Sequence, residues 1–237
     1  KSYVSDIKTY PINTEFKVVQ TYERKMGNPT ATFEMNCSLV LLPDKPMTPR
    51  YADSRVGYFT VNYSDFDRHP QKVERTSLIT RWRLEPKPED VEKYKRGELV
   101  EPAKPIVFYI DPKTPKEWVP YLIQGVNDWQ VAFEKAGFKN AIYALEAPTP
   151  AEDPTWSLED ARHSAIIYKP SATPNASGPH VHDPRSGEIL ESHINWYHNV
   201  MSLLSKWYFI QCSPADPAAR KMTLDTELMG ELVRFVS

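Results

Sequence analysis

Six histidines carry the most versatile chemistry in the chain: His69, His163, His180, His182, His193 and His198. His180 and His182 stand two apart. On a strand that spacing puts both imidazoles on one face, about 7 Å apart, which suits chelation of a metal as in several hydrolase classes. Asp183 follows His182 directly, so the HxHxDH pattern is not met, and HExxH is absent from the sequence. The plainer reading of the pair is two surface histidines near a hairpin tip. His193 and His198 are five apart, the wrong spacing for one helical face, and read as helix-entry and surface residues.

Other reactive constellations are weaker. Glu188/Glu191 and Asp225/Glu227 are the residue types a glycosidase needs, but 31 acidic residues make chance pairs expected. Asp225 and Glu227 read better as charges at a helix start. Trp118, Trp129, Trp196, Trp207 and Tyr208 are types that line sugar sites; at helical spacing they read as core. GxGxxG, GxxxxGK[ST] and GxSxG are all absent, and eight glycines leave little room for a disguised phosphate loop. Cys37 and Cys212 are too far apart for a CxxC site and too few for a disulfide framework, so they read as unpaired, mostly buried thiols.

Composition limits what these residues can serve. The chain has 237 residues, 41% hydrophobic and 25% charged, which is enough apolar material for a packed core. A formal net charge of -2 offers no field for a phosphate backbone, which argues against nucleic acid as a partner. No apolar run approaches the roughly 20 residues of a membrane span. Proline (22) far outnumbers glycine (8), favouring stiff connections.

The elements that must position the histidines fall into two parts. Residues 1 to about 85 read as antiparallel β, with strands over 16–22, 31–42, 57–63 and 77–84 and a turn at Asn28-Pro29. In the last strand Leu78, Thr80, Trp82 and Leu84 alternate with Ile79, Arg81 and Arg83. Residues 85–104 are charged and proline-flanked, a connection holding one short helix, and the domain boundary is placed there.

The second part opens with a strand over 105–110, apolar enough to be buried on both faces. A helix follows, starting at Thr114-Pro115 or later near Val119. Trp118, Tyr121, Leu122, Val126, Trp129, Ala132 and Phe133 form its stripe, and Gly137 stops it. Strands over 141–145 and 164–168 precede a hairpin of 178–183 and 188–192. Its turn, Asp183-Pro184-Arg185-Ser186-Gly187, has Asp first and a left-handed Gly closing it. An aromatic helix over 195–211 carries Trp196, Val200, Leu203, Leu204, Trp207 and Tyr208 on one face. A last helix, capped by Thr223, presents Leu228, Leu232 and Phe235 and runs to Ser237. The order is β-α-β-β-β-β-α-α.

That order is the order of a zincin's N-terminal subdomain, and the wording goes further. Residues 79–85 (ITRWRLE), 105–112 (PIVFYIDP), 126–138 (VNDWQVAFEKAGF), 183–190 (DPRSGEIL) and 228–236 (LMGELVRFV) resemble a bacterial, Bacteroidetes-type family of large zinc metallopeptidases of the metzincin type. The resemblance implies an α+β fold. Residues 1–100 would be a β-rich accessory domain, with its charged linker from about 85. Residues 104–237 would be the upper subdomain of a zincin-like fold, a mixed twisted sheet with helices, reaching into the active-site helix.

In that family this helix continues into HExxHxxGxxH, whose histidines bind zinc and whose Glu activates water. The sequence ends before that motif, so no ligand and no base carries over. Zinc is expected in the parent protein and not in these residues, which are expected to be inactive alone. What carries over is the cleft rim: an edge strand to which an extended substrate pairs antiparallel, matching Gly178, Pro179, His180 and Val181. The implied partners are a peptide or protein substrate and the rest of the peptidase domain, and the implied location is periplasmic or extracellular. Two other functions stay open at this stage. One is a non-catalytic β-rich module binding a glycan or protein. The other is a metal hydrolase built on His180 and His182.

Overall fold

The computed structural model describes residues 2–23 and 30–237; the turn read at Asn28-Pro29 lies outside them. The fold is α+β, and its N-terminal sheet is antiparallel. Strands β1 (Tyr3–Thr9), β2 (Asn13–Tyr22) and β3 (Ala31–Val40) form a meander in that order. The first of these has no place in the sequence reading: all seven of its residues are exposed, so no buried alternation marks it. Strands β4 (Thr60–Asp65) and β5 (Glu74–Ile79) make a separate hairpin. Both are shorter than their patterns implied. Residues 57–59 stay irregular. The alternation beyond Ile79 continues in a segment that leaves its hairpin for other partners.

Those partners lie in the second half. The Arg81 N–H donates to Gly187 O and Ile189 N–H donates to Arg81 O, both at 2.9 Å. Trp82 then sets its ring edge-on to Phe108 at 6.2 Å. Next come a 3-10 turn at Pro88–Asp90 and helix α1 (Val91–Lys95). This charged stretch is anchored by two apolar contacts. The Tyr94 ring stacks on Phe138 at 4.9 Å, and Val100 is buried beside it.

The main sheet contains β6 (Ile106–Ile110), β7 (Ile142–Glu146), β8 (Ser164–Lys169), β9 (Ala176–Ser177), β10 (His180–His182) and β11 (Ile189–Tyr197). Its order is β10-β11-β8-β6-β7, with β9 also on β11. β6, β7, β8 and β11 run parallel; β9 and β10 run antiparallel to β11. β6 is an interior strand, between β8 and β7, but not buried on both faces: Ile106, Phe108 and Ile110 are buried, Val107 and Tyr109 half so.

One face of this sheet carries the core. Ile106, Phe108, Ile110, Ala144, Ile166 and Trp196 pack against Leu122 and Val126 of helix α2 (Val119–Asp128), Val200 and Leu204 of helix α4 (Val200–Cys212), and Val233 of helix α5 (Thr226–Val236). The first helix takes the later start, after Trp118. It breaks at Trp129 before α3 (Gln130–Lys135). α2 and α5 approach closely enough that a Cβ on Gly230 would lie 2.2 Å from the Tyr121 ring.

Several boundaries differ from the sequence reading for one reason: a strand and a helix that abut share apolar residues. Residues 195–197 belong to β11, so Trp196, read on a helix face, is a sheet residue at 3% exposure. Asp225, not Thr223, caps α5, its carboxylate accepting the Leu228 N–H at 2.9 Å. Phe235 is exposed; the buried stripe of α5 runs through Gly230 and Val233, with Met229, Leu232 and Val236 alongside. Trp129 and Trp207 are likewise exposed, whereas Trp118 is buried. Cys37 is exposed and Cys212 half-buried, and both are free.

Candidate functional site: the rim strand and its cleft

The residues singled out as a rim, Gly178, Pro179, His180 and Val181, lie at the edge of the main sheet. β10 pairs with β11 and, among the described residues, with no other strand. The register is continuous across the break between β9 and β10. Ser177 faces Asn195, His180 faces Ser192 and Val181 faces Glu191, so Gly178 and Pro179 fall opposite Ile194 and His193. A bulge follows, since His182 faces Ile189. The hairpin closes as the sequence reading has it. Asp183 N–H donates to Glu188 O, Gly187 N–H donates to Asp183 O, and Gly187 has φ +74.

Which backbone groups of the edge are free follows from Ser192. Its N–H donates to Ser164 Oγ on β8, 3.1 Å away, so it points away from β10. Antiparallel neighbours alternate between bonded and non-bonded pairs. His180, opposite Ser192, therefore turns its own N–H and C=O outward, and Gly178 does the same by the two-residue period. Pro179 sits at an inward position between them. Its carbonyl accepts from the Ser192 hydroxyl at 3.0 Å, replacing part of the ladder its ring interrupts.

A cleft of about 410 Å³ opens beside this edge. Pro179, His180, Val181, Glu191 and His193 form one wall, and Glu15, Asn36, Ser38 and Val40 of the N-terminal sheet form the other. Glu15 is buried and accepts from the Asn13 and Asn36 amides and the Ser38 hydroxyl. Glu159 at the cleft floor accepts from Lys8 Nζ at 2.7 Å and the Tyr10 hydroxyl at 3.0 Å, with Lys17 Nζ 3.2 Å away. Its pKa is lowered chiefly by Lys8, against the cost of burial. The two halves of the chain thus meet through hydrogen-bonded polar groups.

His193 corrects its sequence reading: it lies mid-strand in β11, not at a helix entry. Its Nε2 is 2.8 Å from Glu191 Oε1 and 3.2 Å from His163 O. Burial opposes its charge, but the Glu191 carboxylate, the His163 carbonyl and Glu15 together outweigh burial, and its pKa is raised above 6.5. His198 does stand at the entry to α4, its Nδ1 2.7 Å from the Tyr168 hydroxyl.

His180 and His182 come together. Their ring centroids are 5.4 Å apart, and His180 also lies 6.5 Å from the Phe59 ring. Burial first, then the neighbouring His182, holds the His180 pKa below 6.5. Among the described residues, no group of three His, Cys, Asp or Glu side chains converges to hold a metal ion. The carboxylates of Glu188 and Glu191 do not form a working pair. Glu191 serves His193, and Glu188 is buried with Arg83 Nη1 3.6 Å away, beyond hydrogen-bond distance.

Two signals for this site were present in the sequence and missed. Glu15, an acidic residue directly before the run of 16–22, marks the face of β2 that meets the second half. Phe59, just before a strand, is held by its carbonyl, which accepts from Thr80 N–H at 2.8 Å and Thr80 Oγ1 at 3.2 Å.

No helix among the described residues is long and apolar enough to cross a membrane. No curated protein and no solved structure matches the chain. Residues 1–87, covering the N-terminal sheet, the β4-β5 hairpin and the start of the connection, match the family described as Domain of unknown function (DUF5117).

Proposed function

We propose that this chain is the substrate-rim portion of a secreted zinc metallopeptidase, binding an extended peptide by addition of a strand to β10. The observation that carries the reading is the free edge. Among the described residues β10 ends the sheet, and Gly178 and His180 direct N–H and C=O groups outward, away from β11, at a two-residue spacing. That is the spacing at which an extended chain exchanges main-chain hydrogen bonds. The segment resemblance implies an edge strand at the same place, immediately before the hairpin.

Hydrolysis in such an enzyme uses zinc to polarise the scissile carbonyl and activate water. The described residues of this chain do not fit that metal, since no three potential ligands converge. What they supply is binding and orientation. The rim fixes the peptide backbone, and the cleft walls meet the side chains that alternate along it.

Amide hydrogen exchange tests this reading. Addition of an extended, unstructured peptide is expected to slow exchange at the Gly178 and His180 amides, and not at Val181, which already faces β11. Unchanged exchange at both amides with saturating peptide would overturn it.

A further inference from the structure

We infer that Phe59, His180 and His182 form an aromatic subsite that selects an aromatic side chain in the peptide residue paired with His180. The inference rests on the rim reading above and names the substrate that rim prefers.

The geometry begins with the backbone. His180 faces outward with both hydrogen-bonding groups, so an added strand places one residue in a bonded pair with it, Cα atoms about 5.5 Å apart. Paired residues project side chains to the same face of a sheet. On that face the His180 ring already has neighbours on two sides. His182 is two residues along the same strand, with ring centroids 5.4 Å apart and planes inclined at 56°. Phe59 comes from outside the strand, 6.5 Å away and inclined at 53°. Both distances fall in the range at which aromatic rings attract.

Phe59 is the unusual member. It is a large apolar side chain, 82% exposed, on a backbone pinned by two hydrogen bonds from Thr80. The neighbouring segment from Thr80 is itself bridged to the hairpin through Arg81 and Gly187. The N-terminal half thus holds an exposed ring beside the rim of the second half. The burial that keeps His180 neutral near pH 7 also keeps its ring a stacking surface and not an ion. A Phe, Tyr or Trp side chain entering opposite His180 covers Phe59 and completes the row; an Ala leaves it exposed.

The test uses the full 237-residue chain and fluorescein-labelled heptapeptides Thr-Val-Thr-X-Thr-Val-Thr, with X as Phe or Ala, read by anisotropy at pH 7.5. The Phe peptide is expected to bind about three- to tenfold more tightly. In Phe59→Ala that advantage is expected to fall below twofold, with the thermal melt unchanged because the removed ring is exposed. N-methylation of the X amide is expected to abolish binding, since it removes a ladder donor. Equal binding of the two peptides, or an advantage that survives Phe59→Ala, would overturn the subsite while leaving the rim intact. Binding of neither peptide, or binding indifferent to N-methylation, would overturn the rim and the subsite with it.

Discussion

Arg185 in the hairpin turn donates from Nη2 to the carbonyl of Pro43, 2.6 Å away, joining the end of the rim to the N-terminal half. The same guanidinium grips Asp183, with Nη2 2.7 Å from Oδ2 and Nε 3.0 Å from Oδ1. Asp183 is fully buried, and Arg185 holds its pKa low against the cost of burial. Arg185→Ala would leave that carboxylate without its cation, keeping the residue-185 backbone N–H that donates to Oδ1 at 2.9 Å. Because Arg185 is itself partly exposed, solvent screens the pair and the expected loss is modest, read as a lowered urea midpoint. Arg185→Lys should recover only part of it, because an ammonium cannot reproduce the fork. An unchanged urea midpoint would refute the tie.

Gly187 makes a second contact between the halves, and it admits no side chain. Its φ is +74, and a Cβ there would lie 2.1 Å from the Ile79 carbonyl oxygen. Gly187→Ala must therefore pay conformational strain of about 1 kcal/mol and also push β5 away from the hairpin. Circular dichroism melts should show a drop larger than that of Arg185→Ala. Gly97, also at positive φ but with open space around it, is the control: Gly97→Ala should cost only the strain.

How much of this was readable beforehand depends on whether the signal was local. The Asp183–Gly187 turn was legible because Asp, Pro and Gly each dictate a backbone conformation at their own positions. β6, β7 and β8 were legible as apolar runs, and the edge position of β10 was implied by the segment resemblance. His193 was not legible. Its place in β11 depends on where an apolar strand stops and an apolar helix starts, and Ile194, Trp196 and Val200 satisfy both patterns. The cleft was not legible either. Asn13 and Glu15 reach Glu159 and the surroundings of His193 only through a tertiary fold, and no periodicity encodes the docking of one half on the other.

Asn13 is the sharpest probe of that docking. Its amide nitrogen donates to Glu159 O at 2.8 Å and Glu15 Oε1 at 2.6 Å, while its carbonyl accepts the Ala161 N–H at 3.0 Å. Asn13→Ala strands a buried carboxylate oxygen and a backbone donor together, an expected cost of about 2–4 kcal/mol. Hydrogen exchange at Ala161 should accelerate in step with the lost stability. Asn13→Asp keeps the acceptor but sets a second carboxylate beside Glu15, and should be as damaging at pH 7 and milder near pH 4.

His193 gives the interface a pH dependence of known sign. Its folded pKa is raised above 6.5 by Glu191, the His163 carbonyl and Glu15 acting against burial. A raised pKa means the folded state binds the proton more tightly. The stabilisation is complete below about pH 6.5 and is lost as pH rises through the folded pKa. His193→Gln should flatten the stability profile over that window, and Glu191→Gln should lower the His193 pKa followed by imidazole NMR shifts. A His193 resonance titrating below 6.5 in the unaltered protein would contradict the assignment.

The histidine pair on the rim separates the peptidase reading from its metal-hydrolase rival. His180 and His182 bring two imidazoles together, but no third ligand joins them among the described residues. Two nitrogen donors leave a tetrahedral zinc half open to water, so tight retention through dialysis is not expected. Metal analysis after incubation with zinc and passage over a desalting column should find well under one equivalent per chain. A peptidase assay on the same 237-residue chain should show no cleavage that a chelator suppresses. One tightly held zinc per chain, lost in His180→Ala and His182→Ala, would show that the rim is itself a metal site. In that event the imidazoles could not serve as a neutral stacking surface, and the preference for an aromatic peptide residue should vanish when zinc is added.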